Sequence, residues 1–188
     1  LQRSLALAQE IGARRFETMD LALLARVDLS RGMRNEARVR LNAAWEVSAR
    51  TGHAFAGAVV QGALALAAAS DAARCAALAS GEDLLRKGTL AHNHVWFYGD
   101  AIEVSLTAHA WSEAERYADA LAEYTRAEPL PWTDLQVAIA RALAAAGRGH
   151  GDPEAILACQ RRAEALQCYG QAAALGAAVA GLRQSPPR

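Results

Sequence analysis

The sequence predicts an all-α protein of stacked antiparallel helical hairpins, on three observations. Alanine supplies about a quarter of the 188 residues, with much leucine and few β-branched residues, and this composition favours helix. No segment alternates apolar and polar residues between turn signals, as a half-buried strand would. Turn residues recur 38 to 40 residues apart, near Gly32, Ser70, Ala110 and Gly149. Such an interval is typical of a helical-repeat array, in which each hairpin buries its apolar face against the next.

Apolar spacing and turn residues together predict ten helices. They cover about residues 1–11, 13–30, 35–50, 54–69, 72–87, 94–109, 113–126, 133–146, 153–169 and 171–182. In the second, Phe16, Met19 and Leu23 begin an apolar stripe with spacings of three and four. Links between hairpins are expected near Gly52, Gly88, Pro129 and Gly170. We therefore expect one array of about four hairpins with flanking helices over residues 1–183, and a disordered tail over 184–188.

Local signals indicate where several helices begin and end. Ser112 and Glu115 fit a capping box, in which the serine oxygen accepts from a backbone N–H and the glutamate reaches back. Pro129 and Pro131 are expected to end the helix before them, because a proline ring is not tolerated in a helix interior. Asp152, followed by a proline, is a typical N-cap.

The first complete hairpin resembles a tetratricopeptide repeat (TPR). Small and large residues stand where that repeat needs close helix crossings and groove filling, at Leu24, Ala25, Gly32, Ala37, Leu41 and Ala44. Asp28 stands where an aromatic residue is usual, no proline closes the repeat, and the interval exceeds the usual length of about 34 residues. The predicted fold is therefore a TPR-like α-solenoid.

Charge and cysteine content limit the function classes. The formal net charge is zero, so the chain as a whole has no electrostatic basis for binding nucleic acid or an anionic membrane. Arg34, Arg38 and Arg40 could form a basic patch, but Glu36 interrupts it. Residues 1–50 carry nine basic and six acidic side chains, and residues 101–150 carry four and seven, which solvated helix faces explain.

The three cysteines, Cys75, Cys159 and Cys168, are odd in number and lack CxxC spacing, which disfavours a disulfide framework or a zinc site. Reduced cysteines packed as small apolar side chains would suit the cytoplasm. No signal peptide is evident, and the first residues read as the middle of a helix, which suggests a piece of a larger protein. The longest apolar run, residues 54–69, contains Gln61 and two glycines and is too short to span a bilayer.

A histidine-rich segment is the one cluster that could suggest a metal site or an acid–base pair. It comprises His92, Asn93 and His94, with Asp100 and His109 further along. His92 and His94 would point about 200° apart on a helix, and no nucleophile or glycine-rich anion loop accompanies them. An N-cap by Asn93 with partly buried histidines explains the segment better. We therefore predict no catalytic residue, no metal site and no cofactor.

Aromatic residues concentrate between residues 92 and 132 and are the candidates for partner binding. Trp96, Phe97 and Tyr98 point in three directions from one helix, so at least one should face away from its own hairpin. Tyr124 ends a stripe at helical spacing, and Trp132 lies where two hairpins should join. Core packing explains most of these rings. Trp96, Tyr98, Tyr124 and Trp132 are the predicted partner-binding residues, if neighbouring hairpins leave them exposed.

Three segments carry a family resemblance. They are ARRFETMDLALLARVDLSRG, HNHVWFYGDAIEVSL and AWSEAERYADALAEYTRAEPLPWTD. Across residues 8–150 the chain resembles the C-terminal TPR-like region of bacterial signalling proteins that join a class III adenylate/guanylate cyclase domain to an AAA-type ATPase of the signal-transducing NTPase kind. Similar tails follow ATPase domains in some transcriptional regulators. No GxxxxGK[ST] loop or cyclase aspartate pair occurs here, so the resemblance implies a non-catalytic helical tail.

Three functions remain open at this point. The first is an interaction module that docks a protein, a peptide or another domain of the same polypeptide and relays that event to an attached ATPase or cyclase. The second is a structural or self-associating scaffold. The third is a small-molecule sensor with a pocket near Tyr98 and Trp132.

Overall fold

The computed structural model describes the backbone of residues 1–184 and the side chains of residues 1–181. Within these residues it contains ten helices and no strand, which confirms the all-α prediction. The helices are α1 (Gln2–Glu10), α2 (Arg14–Ser30), α3 (Arg34–Thr51), α4 (Gly57–Ala67), α5 (Asp71–Lys87), α6 (Ala91–Thr107), α7 (Trp111–Tyr124), α8 (Pro131–Gly147), α9 (Pro153–Ala165) and α10 (Tyr169–Gln184). Of the predicted tail, Gln184 belongs to α10, and residues 185–188 lie outside the described residues.

The chain forms two compact units, whereas the sequence predicted a single array over residues 1–183. Unit 1 is Leu1–Ala101 and unit 2 is Ile102–Arg188, so the boundary falls within α6. Each unit has its own apolar core. None of the described helices is long and apolar enough to cross a membrane.

Unit 1 consists of α1 to α5 and the first part of α6. α2 packs on α3 and α4 on α5, across the turns predicted at Gly32 and Ser70, while α4 also contacts α2 and α3. The core is made mainly of alanine, leucine and valine from α2, α3 and α4: Leu21, Ala22, Ala25, Ala37, Leu41, Ala44, Val59, Val60, Ala63 and Ala67. Small side chains at these positions allow close approach of the helix axes.

Unit 2 pairs α7 with α8 and α9 with α10, with further contacts between α8 and α9. The two helices of each of these pairs are joined by a segment, near Pro129 or Gly170, that the sequence predicted as a link between two hairpins. Glu115 pairs with Arg148 and Asp119 with Arg141, which sets α7 and α8 antiparallel. A Cβ added at Gly147 would meet the Trp111 ring at 2.3 Å, so the glycine makes room for the indole.

Five turns in the described residues share one backbone geometry. Each has a residue with positive φ, followed by a residue whose N–H bonds the carbonyl five positions earlier, which is the Schellman arrangement. The positive-φ residues are Gly12, Gly32, His109, Gly149 and Gln167. The corresponding bonds run from Ala13 to Ala8, Met33 to Asp28, Ala110 to Ser105, His150 to Ala145 and Cys168 to Ala163, at 2.8 to 2.9 Å. One turn type is therefore reused along the chain.

The start of α7 does not contain the predicted capping box. α7 begins at Trp111 with Ala110 at the N-cap, and no side chain caps it. Ser112 and Glu115 instead bind Arg148, whose guanidinium donates to the serine oxygen at 3.3 Å and to Glu115 at 2.6 and 2.7 Å. The prediction was wrong because α7 begins before Ser112, which therefore lies inside the helix and not at its N-cap.

Other helix ends also differ from the prediction. α7 ends at Tyr124, and Pro131 begins α8 at its first position instead of ending the helix before it. α9 ends at Ala165, and α10 passes through Gly170 without a break. The Asp152 N-cap is confirmed, since its carboxylate accepts from the Glu154 N–H at 2.9 Å.

Candidate functional site

Asn93 fixes the start of α6 against the start of α4. Its side chain is fully buried, and its amide nitrogen donates to the carbonyls of Ala54, Phe55 and Leu90 at 3.2, 2.8 and 3.3 Å. Its Oδ1 accepts from the Val59 N–H at 3.4 Å. The predicted N-cap for its own helix is therefore wrong: α6 begins at Ala91, and Asn93 satisfies backbone groups at the start of α4.

These bonds also explain why α4 is shorter than predicted. The backbone of Ala54 and Phe55 is held as a turn, with Leu90 N–H donating to the Ala54 carbonyl at 3.1 Å. The His92 ring donates through Nε2 to the Phe55 carbonyl at 2.5 Å. α4 accordingly begins at Gly57, and not at residue 54.

Three rings form a chain across the starts of α2, α4 and α6. Phe16 meets Phe55 edge-on with centroids 5.6 Å apart, and Phe55 meets His92 in the same way at 5.3 Å. We call these three residues the ring ladder. Phe16, predicted in an apolar stripe, is 62% exposed. The ladder was not predicted, although the separations of 39 and 37 residues are close to the repeat interval of 38 to 40 residues and could have revealed it.

A buried ion pair joins α2 to α6 in unit 1. Asp100 is 0% exposed, and Nη1 of Arg26 donates to both of its carboxylate oxygens. Gly62 of α4 makes room for the carboxylate, because an added Cβ would lie 2.8 Å from Oδ2 of Asp100. A buried carboxylate is tolerated only when it is paired and hydrogen-bonded, so Arg26 is tied to this position.

Trp96 supports the same guanidinium from another side. The Arg26 guanidinium carbon lies 4.8 Å from the Trp96 ring centroid, and the indole packs partly against the unit 1 core. A guanidinium stacked on tryptophan gains a cation–π interaction. We call Arg26, Trp96 and Asp100 the Arg26 site.

Part of the Arg26 guanidinium remains available. The side chain is 23% exposed, and Nη1 makes both contacts to Asp100. Neither Nε nor Nη2 has a hydrogen-bond acceptor among the described residues, and neither is buried from solvent. The Arg26 site therefore offers two oriented donors at a protein surface.

The structure places the four predicted partner-binding residues in different units. Trp96 and Tyr98 lie in α6 within unit 1, where both are partly buried, and Tyr98 stands near the His94 ring with centroids 6.0 Å apart. Tyr124 and Trp132 lie in unit 2, at the last residue of α7 and the second of α8. Tyr124 is 40% exposed and Trp132 is partly buried. Of the four, only Trp96 belongs to the Arg26 site. The site itself was not predicted from the sequence.

The histidines near the candidate site have separate surroundings. His92 bonds the Phe55 carbonyl, and His109 occupies a positive-φ turn and stacks on Trp111 with centroids 5.0 Å apart. Burial lowers the pKa of His94. Over residues 1–181 no group of three or more His, Cys, Asp or Glu side chains is placed to hold a metal ion.

The cysteines and His53 are the other residues whose side chains could act as nucleophiles, bases or metal ligands. All three cysteines are free; Cys159 is buried in the unit 2 core and Cys75 is exposed. Burial raises the pKa of the Cys159 thiol. His53 stacks on Trp45 with centroids 4.1 Å apart, its Nδ1 lies 3.0 Å from Oγ of Ser48, and burial lowers its pKa.

Comparisons with known proteins found no matching family, no matching curated protein and no matching solved structure.

Proposed function

We propose that this chain is a non-catalytic, TPR-like helical-repeat module that binds a protein or peptide partner. The observation that carries the proposal is the pairing of Arg26 with Trp96. Arginine and tryptophan are the residue types that most often dominate binding energy at protein interfaces. Here they are held by a buried carboxylate and an apolar core before any partner arrives, so little side-chain freedom would be lost on binding.

The repeated turn supports the TPR-like part of the proposal. Three buried alanines, Ala37, Ala114 and Ala172, each follow a positive-φ turn residue by five positions. A small residue at that place lets a helix approach its neighbour closely, as a stack of hairpins requires. We extend the proposal, on the sequence resemblance, to a regulatory role within a larger cytoplasmic bacterial signalling protein.

A selection experiment tests this function. A random peptide library displayed on phage is selected against the immobilised chain and, in parallel, against the Trp96→Ala variant. We expect related sequences to be enriched on the wild-type chain and not on the variant. The Tyr169→Ala variant, which removes an exposed ring of α10 in unit 2, serves as the matched control and should still enrich them. Failure to enrich any sequence on the wild-type chain, or equal enrichment on Trp96→Ala, contradicts the proposal.

A second candidate, self-association, is favoured by the exposed apolar side chains of α1 and the start of α2. Leu7, Ile11 and Phe16 are 55%, 68% and 62% exposed. Light scattering coupled to size exclusion decides between the candidates. A dimer that the Ile11→Ser variant dissociates would support a scaffold, and a monomer at high concentration would exclude it.

A further inference from the structure

We propose that the Arg26 site binds the side-chain carboxylate of a glutamate or aspartate on the partner. This inference rests on the proposed function and names the chemistry that the site recognises. The guanidinium is planar, and its donors have a fixed fork geometry that matches the two oxygens of a carboxylate. Nη1 is occupied by Asp100, which leaves the Nε and Nη2 edge as the free side of the fork.

The buried partner of Arg26 determines the orientation of that free edge. Asp100 cannot move into solvent without leaving its place beside Gly62, and the guanidinium carbon lies over the Trp96 ring, 4.8 Å from its centroid. The plane and the rotation of the guanidinium are therefore both constrained. A ligand carboxylate would meet donors that are already aligned, which reduces the entropy lost on binding.

Charge favours a carboxylate over a phosphate group. The charges of Arg26 and Asp100 cancel, so the site presents oriented donors and not a net positive field. A dianionic phosphate would be repelled by the Asp100 carboxylate more strongly than a monoanionic carboxylate would. The excess of nine basic over six acidic residues in positions 1–50, within unit 1, adds a longer-range attraction for an acidic peptide.

The positions of Arg26 and Trp96 in their helices favour a side-chain carboxylate of the ligand over the carboxylate at a peptide C-terminus. Arg26 lies thirteenth in α2, more than three turns from its start, and Trp96 lies sixth in α6. The Arg26 side chain is only 23% exposed, so neighbouring residues cover most of it. A glutamate or aspartate can extend its carboxylate to such a side chain while the peptide backbone remains outside. A C-terminal carboxylate would have to bring the last residue of the peptide in with it.

The first test follows the Nε–H signal of Arg26 by NMR while sodium propionate, a mimic of the glutamate side chain, is added to the millimolar range. We expect a saturable shift with propionate, little change with propionamide, and weaker binding of phosphate. The Arg38→Gln variant, which removes an exposed arginine of α3, should leave the response unchanged. Absence of a saturable shift, an equal response to propionamide, or tighter binding of phosphate overturns the inference.

The second test uses a peptide enriched by the library selection and containing glutamate or aspartate. Converting that residue to glutamine or asparagine should weaken binding by roughly tenfold or more, the usual effect of losing a charge-assisted hydrogen bond. Amidation of the peptide C-terminus should change little. If amidation weakens binding and the acid-to-amide change does not, the carboxylate comes from the chain end and the assignment to a side chain is overturned.

Removing Arg26 alone would take the ion-pair cation away from the buried Asp100 carboxylate, so the binding variant must keep the pair neutral. Arg26→Gln combined with Asp100→Asn retains two hydrogen-bonding side chains and removes both charges. It should lose the propionate response and the preference for acidic peptides. Retention of both by a folded double variant contradicts the inference. If enriched peptides bind without needing an acid or Arg26, the inference fails while the proposed function stands.

Discussion

Arg26 and Asp100 lie 74 residues apart in the sequence and form an ion pair in which the carboxylate is fully buried. The pair links α2 to α6 across Gly62 of α4, so one interaction connects three helices of unit 1. Because the same guanidinium stacks on Trp96 and keeps two donors available, this structural link also forms the candidate binding site.

We predict that breaking the pair from one side is costly. Arg26→Met should lower the free energy of unfolding by about 3 to 5 kcal/mol, because it removes the ion-pair partner of a buried carboxylate. The double variant Arg26→Met/Asp100→Leu should recover much of that loss, since no buried charge remains. Urea unfolding measures both, with the exposed Arg38→Met as the matched control. A change of less than about 0.5 kcal/mol for Arg26→Met would contradict this description of the pair.

Asn93→Ala is expected to lower the free energy of unfolding by about 3 kcal/mol, since it removes several buried hydrogen bonds and leaves the Val59 N–H unsatisfied. Asn93→Asp should also be destabilising, because a carboxylate cannot donate to the Ala54 and Phe55 carbonyls. Hydrogen exchange at the Val59 amide gives a local readout, and it should accelerate. The exposed Asn42→Ala should have little effect. Unchanged Val59 exchange in Asn93→Ala would show that the hydrogen bond from the Val59 N–H to the Asn93 side chain is not formed.

Gly81 provides a test of the α5–α6 packing. A Cβ at this position would lie 2.1 Å from the Phe97 ring, so Gly81→Ala should destabilise unit 1 by about 1 to 3 kcal/mol through overpacking. Gly170, also helical, has nothing within 4 Å of an added Cβ. Gly170→Ala should be neutral or stabilising by up to about 1 kcal/mol. Thermal unfolding of both variants checks the contrast, and a stabilised Gly81→Ala would contradict the packing.

Stability should decrease as the pH falls through the range where histidine titrates. Burial lowers the pKa of both His53 and His94 in the folded chain, so the unfolded chain binds protons first. Their contribution to stability is complete above the unfolded value of about 6.5 and is lost as the pH falls toward the folded values. His53→Gln should flatten the profile below the unfolded value of about 6.5. A profile that remains as steep in His53→Gln would refute the role of His53.

Local signals in the sequence predicted the helices well, because a glycine such as Gly32 or a cap such as Asp152 acts on its own neighbours. They failed at Ser112, because α7 begins before it, and at Asn93, because its side chain bonds to backbone groups 34 to 39 residues earlier.

The Arg26 site could not be predicted because it, too, joins residues that are distant in the sequence. Nothing near Arg26 or Asp100 in the sequence indicates their pairing, and Asp100 was noted only with the nearby histidines, as part of a possible metal or acid–base cluster. Of the three residues of the site, only Trp96 was predicted to bind a partner, because of its residue type. The ring ladder could have been predicted from the sequence. Phe16, Phe55 and His92 are spaced at close to the repeat interval that also predicted the turns.

Peptide binding is tested most directly by a calorimetric titration of one library-selected peptide into the wild-type chain, Trp96→Ala and Tyr169→Ala, with each variant first shown to be folded by circular dichroism. We predict that Trp96→Ala weakens binding by at least about tenfold, because it removes an aromatic anchor and the support of Arg26. Tyr169→Ala should bind like the wild type. Equal affinity for the wild type and Trp96→Ala would contradict the account.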